Sequence, residues 1–281
     1  MACGRRVTAI LLSWLALTTL TSCSRFYSLT DPLVPSLSRD WQPLLAGLPS
    51  AEFRDDQVFI HGVRDFIYLG EDQFVERYHD DTFDLGDVVG VDFVMVPFAE
   101  TPTLAHTMLS FRFGDGRVLG VSAEARLEQD EKYHPVPGAV HKYELMYVLA
   151  TERDLVTLRT EHRNSDVYIY PIRVTPEQSK QLLVDVLHRV NKLSAEPEFY
   201  DTVTNNCTTN IVRHVNRLSP GRIPLNWRVL LPGYSDQLAY ALGLLDTELP
   251  YEEAKRLARV NDRVNPNLSV NAFSAALRST E

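Results

Sequence analysis

The stretch LAHTMLSFRFGDGRVLGVSAEARL, residues 104–127, decides how this chain folds. Two runs rich in apolar and β-branched residues flank Gly114-Asp115-Gly116, and this pattern reads as a β-hairpin. Its register follows from the alternation. Leu109, Phe111 and Phe113 share one face of the first strand. Leu119, Val121, Ala123 and Ala125 share one face of the second. A slip of one residue would turn one set to the wrong side. A three-residue loop keeps both sets together, with Gly116 in the left-handed conformation that such loops require. Phe111 then pairs with Leu119, Leu109 with Val121, Met108 with Ser122, and His106 with Glu124. The opposite face collects His106, Ser110, Ser122, Glu124 and Arg126.

That second face admits two readings. It is either the solvated side of an antiparallel sheet or a polar cluster on rigid strands. In the second reading His106 is a base, and Glu124 or Ser122 fixes its tautomer and orientation. Arg126 would support the cluster.

Outward from the hairpin, residues 58–69, 88–98, 143–150 and 167–174 read as further strands. Thr175 caps a helix that carries Pro176 in its first turn and Leu182, Leu183, Val186, Leu187 and Val190 at helical spacing. A second helix follows Cys207, with Ile211, Val212, Val215 and Leu218 on its apolar face, and Ser219-Pro220-Gly221 stops it. Segments around 235–245, 251–260 and 269–278 are helical in pattern. Strands in the middle and helices after them predict an α+β fold.

The chain has three cysteines. Arg5 and Arg6 precede an apolar run over residues 7–20. This run is shorter than the roughly 20 apolar residues that a bilayer requires, but it suits an export signal. Leu20-Thr21-Ser22-Cys23 follows and resembles a bacterial lipobox. Cys3 would leave with the signal and Cys23 would carry lipid, enough for stable anchoring. Residues 1–22 are therefore expected to be a lipoprotein signal peptide. Residues 23–50, with Pro32, Pro35, Pro43 and Pro49, are expected to form a lipid-anchored tether, and residues 51–281 one domain. Ser24, in place of Asp, implies by resemblance the outer membrane of a bacterial cell envelope, with the chain facing the periplasm.

Cys207 then remains as a lone thiol in Thr204-Asn205-Asn206-Cys207-Thr208-Thr209-Asn210. Thr204, Asn205 or Asn206 can cap the helix that follows. The first-turn N–H groups and the helix dipole favour a thiolate. Those N–H groups, the Asn206 side chain and Thr208 can support an oxyanion in acyl transfer. The alternative is a small buried apolar cysteine, against which the polar neighbours speak. His214, about two helical turns on, is too distant to be the base. Arg153, Asp154, Arg159 and Arg163 read as structural ion pairing. No cysteine or histidine spacing suits a metal, no phosphate-binding glycine loop is present, and no cofactor is expected. A net charge of −9 speaks against a nucleic-acid partner, whose phosphates call for a basic footprint.

Several stretches together resemble the Lnb-type N-terminal periplasmic domain. They are Ala105-His106 to Phe111, Val121-Ser122 to Arg126, Tyr143-Glu144 to Tyr147, Glu152-Arg153-Asp154 with Leu158-Arg159-Thr160, Val167-Tyr168 to Pro171, and Glu198-Phe199-Tyr200 with Asn205 to Thr209. The order of histidine first and cysteine later on a helix also resembles circularly permuted NlpC-type, papain-like folds such as lecithin:retinol acyltransferase. The resemblance implies a Cys207–His106 acyltransferase. It would move an acyl chain from a phospholipid to the terminal amine of a lipoprotein through a Cys207 thioester. Two other functions fit the same residues: a thiol amidohydrolase acting on peptidoglycan, and a non-enzymatic envelope binding protein. A wide polar groove would favour the hydrolase, and an apolar channel would favour acyl transfer.

Overall fold

A computed structural model describes residues 34–70 and 73–279. The export signal and the expected lipidation site at Cys23 lie outside the described residues. Residues 35–281 form one compact unit.

Ten strands build it: β1 (Ser50–Arg54), β2 (Gln57–Arg64), β3 (Ile67–Tyr68), β4 (Phe74–Val75), β5 (Tyr78–Asp84), β6 (Val88–Phe98), β7 (Thr101–Phe113), β8 (Val118–Arg126), β9 (Glu144–Thr151) and β10 (Tyr168–Pro171). The helices are α1 (Pro43–Ala46), α2 (Pro135–Gly138), α3 (Glu152–Thr157), α4 (Pro176–Ala195), α5 (Cys207–Leu218), α6 (Trp227–Leu230), α7 (Ser235–Ala241), α8 (Tyr251–Ala258) and α9 (Val270–Leu277). The main sheet runs β1-β2-β9-β8-β7-β6-β10, with β5 on β2. Its pairings are antiparallel except β2 with β9. The fold is α+β, as the element pattern predicts.

The β7–β8 register is the one the alternation dictates: Phe111 opposite Leu119, Leu109 opposite Val121, and Met108 opposite Ser122. Phe113 N donates to Arg117 O at 3.0 Å, and Gly116 takes φ 85°. A side chain rarely adopts that conformation, so the loop needs its glycine.

Both faces of the sheet are covered. Leu109, Phe111, Leu119, Val121 and Leu149 pack with Leu183, Val186 and Leu187 of α4. Met108, Met146 and Val148 pack with Leu155 and Val156 of α3, Phe273 and Leu277 of α9, and Leu45 of α1. The polar row of His106, Ser110, Ser122 and Glu124 lies on this second side. It is therefore not a solvated outer face: Ser110 and Ser122 are fully buried.

Within the span expected as a tether, residues 35–49 pack on the domain. Trp41 and Leu45 are buried, and Gln42 N donates to Leu127 O. Arg126 holds this segment. Its guanidinium donates to Leu45 O and Ala46 O and stacks over Trp41 at 4.2 Å. A proline-rich composition suits extended backbone, but the apolar side chains between the prolines still find a face to cover. Two further elements carry little sequence signal. β5 reads YHDDTFD and is mostly exposed. After α3 the chain continues as a π-helix, Leu158–His162, a geometry that recurs at functional sites.

Candidate functional site

The β7–β8 ladder ends at Met108–Ser122. Beyond it β7 continues on β6, and β8 continues on β9 as far as Arg126–Glu144. The two strands therefore part, and a pocket of about 240 Å³ opens where they do. His106 lines one side, Glu124 the other, and Cys207 reaches it from the first turn of α5.

Asn206 sets the start of that helix. Its side-chain oxygen accepts from Thr209 N at 2.9 Å, and Thr209 Oγ1 accepts from Asn206 N at 2.8 Å. This reciprocal cap satisfies two otherwise orphaned donors. The Asn206 amide nitrogen donates to Thr202 O, and the side chain lines the pocket. Asn210 N bonds Asn206 O, which leaves the N–H groups of Cys207 and Thr208 without a partner inside the helix. Thr208 Oγ1 is 3.0 Å from Thr107 Oγ1 of β7, which ties the helix start to the histidine strand.

The Cys207 sulfur lies 4.0 Å from Ala105 O and is buried. Its other contact is Thr208 Oγ1 at 3.9 Å, and the thiol and the His106 ring line the same pocket, close enough for each to shift the other's ionisation. His106 Nε2 is 2.6 Å from Ser122 Oγ, which donates to Glu124 Oε1 at 2.6 Å. Nε2 is also 3.2 Å from Glu124 Oε1. Sequence left Ser122 and Glu124 as alternative partners for His106; here both engage it. Arg159 closes the line, its guanidinium 3.0 Å from Glu124 Oε1.

Charge follows from this row. Burial disfavours a charged His106, but the Glu124 carboxylate and the neighbouring Cys207 outweigh burial and raise it to about 9. Burial pushes the Cys207 thiol up, but the His106 charge and hydrogen bond, with Thr107, bring it down to about 7. Glu124 is held well below the usual carboxylate range: burial opposes this, and His106, Arg159 and Ser122 prevail. At neutral pH His106 is then protonated and Cys207 stands near the midpoint of its ionisation.

Arg126 is not part of this cluster, because the Leu45 and Ala46 carbonyls occupy it. Arg159 takes the place of the supporting cation. Sequence reading treats it as one of several ion-pairing arginines; only the π-helical turn aims it at Glu124. Its framework is Asp154, fully buried, which accepts from Arg64, Phe66 N and Tyr68 OH. Tyr200, another wall of the pocket, enters the sequence reading only within the family resemblance and without a role. His214 is held by Tyr147 OH at 2.8 Å and Asp185 at 2.6 Å, away from the pocket.

The rest of the pocket is largely apolar: Leu44, Val96, Phe98, Leu104, Leu158 and Leu230. Among the described residues no group of three or more His, Cys, Asp or Glu could hold a metal, and no helix is long and apolar enough to cross a membrane.

The model of one protein family, described as the Lnb N-terminal periplasmic domain, matches residues 74–233. The match takes in His106, Ser122, Glu124, Arg159 and Cys207. No curated protein and no solved structure matches the chain.

Proposed function

The chain belongs to the Lnb N-terminal periplasmic domain family, and from this and the site geometry we propose that it is a cysteine acyltransferase of the bacterial envelope, built on a papain-like arrangement. The observation that carries the reading is the gathering of Cys207 and His106 in one pocket with a mostly apolar wall, with His106 backed by Ser122, Glu124 and Arg159.

Cys207 attacks the ester carbonyl of a phospholipid. Negative charge develops on the carbonyl oxygen, and the N–H groups of Cys207 and Thr208 are the donors placed to receive it. His106 uses Nε2 to reach Ser122 and Glu124, which leaves Nδ1 to exchange a proton with the sulfur and the leaving group. The alcohol departs with a proton from His106, and a thioester remains on Cys207. An amine then attacks the thioester, His106 takes the amine proton, and the thiolate is regenerated with an amide formed. The amine is the terminal one of a lipoprotein. Lipidation at Cys23 and residence at the outer membrane keep the enzyme beside both substrates.

A peptidoglycan amidohydrolase would use the same dyad. Its polar glycan–peptide substrate fits poorly against Leu104, Phe98, Val96 and Leu158, whereas an acyl chain suits them. The test is N-acylation of lipoproteins, read by mass spectrometry, in a strain lacking other N-acyltransferases. The wild-type chain restores the N-acyl group and Cys207→Ser does not. Equal acylation by both overturns the nucleophile, and no acylation by the wild type overturns the acceptor.

A further inference from the structure

From Thr202 to Ser235 the chain holds four arginines and no Asp or Glu, in a protein whose net charge is −9. Of the four, only Arg217 has an ion-pair partner among the described residues, Asp185. Within this span, residues 222–231 expose Leu225 (92 %), Trp227 (53 %), Leu230 and Leu231. Their exposure does not come from a loose segment. Ile223 and Val229 are buried with Leu238. Asn216 bonds both the N–H and the carbonyl of Ile223, at 2.8 and 2.7 Å. Asn226 caps α6 by accepting from Arg228 N at 2.9 Å. The loop is thus pinned on its inner side and displays large apolar groups on its outer side. Leu230 and Pro232 line the pocket that holds Cys207, so the exposed face runs into the mouth of the site.

From these observations we propose that residues 222–231 dock on an anionic lipid bilayer. Leu225, Trp227, Leu230 and Leu231 enter the headgroup boundary while Arg222 and Arg228 meet lipid phosphates. A tryptophan with apolar neighbours and arginines without ion-pair partners, one of them, Arg228, over the Trp227 ring, is the composition that settles at a membrane interface, and neighbouring exposed large apolar side chains mark a site of interaction. The lipid surface is the partner that matches all three features: apolar side chains, unpaired cations, and continuity with an apolar pocket. A phospholipid acyl chain would then pass along Leu230 into the pocket without crossing water. The inference rests on the acyl-transfer reading for its purpose, but not for its measurement.

The experiment uses the full chain in vesicles of phosphatidylethanolamine and phosphatidylglycerol, with and without bromine on the acyl chains. Tryptophan emission of the wild type minus that of Trp227→Phe isolates Trp227 from Trp14 and Trp41. Brominated chains are expected to quench that component at least twofold. A Leu225→Asp/Leu231→Asp variant is expected to lose the quenching, and Arg222→Glu/Arg228→Glu to weaken it. Leu225, Leu231 and Arg222 are exposed and Arg228 is half-buried, and circular dichroism checks that the variants fold. A Trp227 component left unquenched overturns the proposal. So does Leu225→Asp breaking a dimer while quenching is absent, since the face would then join two copies. Cys207→Ala is expected to keep the quenching. Quenching retained alongside a failure to form any thioester overturns the acyl-transfer reading and leaves the lipid surface standing.

Discussion

Replacing Glu124 with Gln removes one charge from the row and keeps its shape. Glu124 is the leading reason that His106 titrates at about 9 rather than at the ordinary 6.5 despite burial. That difference corresponds to about 3 kcal/mol, at about 1.4 kcal/mol per pKa unit. Without the carboxylate, burial opposes the charge and only Cys207 still favours it, so His106 falls from its raised value. The imidazolium is then depleted at neutral pH. Cys207, brought to about 7 chiefly by that charge, climbs back to its ordinary 9.0 or beyond. At pH 7 the thiolate fraction drops from about one half to about 1 %, roughly 50-fold. A more basic thiolate is intrinsically more nucleophilic, by about eightfold over two units at a Brønsted slope of 0.4–0.5. The net fall in alkylation rate at pH 7 is therefore only about sixfold. The inflection, not the rate at one pH, is the sharp readout. Iodoacetamide alkylation of Cys207, followed from pH 5 to 10, is expected to turn near 7 in the wild type. In Glu124→Gln the turn moves up by about two units. The same inflection in both proteins would refute the argument that Glu124 sets the thiolate through His106.

Four further outcomes follow from the same geometry. Acylation should follow a bell in pH, because it needs Cys207 ionised, above about 7, and His106 protonated, below about 9; kcat/KM against pH locates both limbs. Asn206→Ala removes the reciprocal cap of α5 and should cost about 0.5–2 kcal/mol in chemical denaturation. The same substitution should raise the alkylation inflection, because the helix start no longer holds the thiol against Thr107 and His106. Asp154→Ala leaves the Arg64 guanidinium buried without its anion and should destabilise the fold by about 3–5 kcal/mol in the same assay.

The hairpin was legible because its chemistry is local. The alternation of Leu109, Phe111 and Phe113 against Leu119, Val121 and Ala123 admits one register; the strands part before His106 and Glu124 can pair, and their side chains meet across the gap. That a cap precedes Cys207 was legible for a similar reason, but Thr204, Asn205 and Asn206 were all candidates; the structure assigns it to Asn206, in a reciprocal pair with Thr209. Arg159 could not be read this way. It reaches Glu124 only through a π-helical turn, set by side chains that lie about ninety residues apart, as in the Arg64–Asp154 pair. Arg126 misled for the opposite reason. Its strand position points it along the polar row, but the packed segment at Leu45 and Ala46 captures its guanidinium first. That segment looked like a tether because prolines recur through it among serines and leucines. The burial of Trp41 and Leu45 depends on a partner surface that only the folded chain provides.

The central claim is a fatty-acyl thioester on Cys207. It is tested most directly by intact-protein mass spectrometry after incubation of the chain with phospholipid vesicles and no acceptor amine. The account predicts a mass gain of one acyl chain, removed by neutral hydroxylamine, mapped to the peptide that contains Cys207, and absent in Cys207→Ala. His106→Ala should form it far more slowly. An adduct that persists in Cys207→Ala, or no adduct on the wild-type chain, would contradict the account.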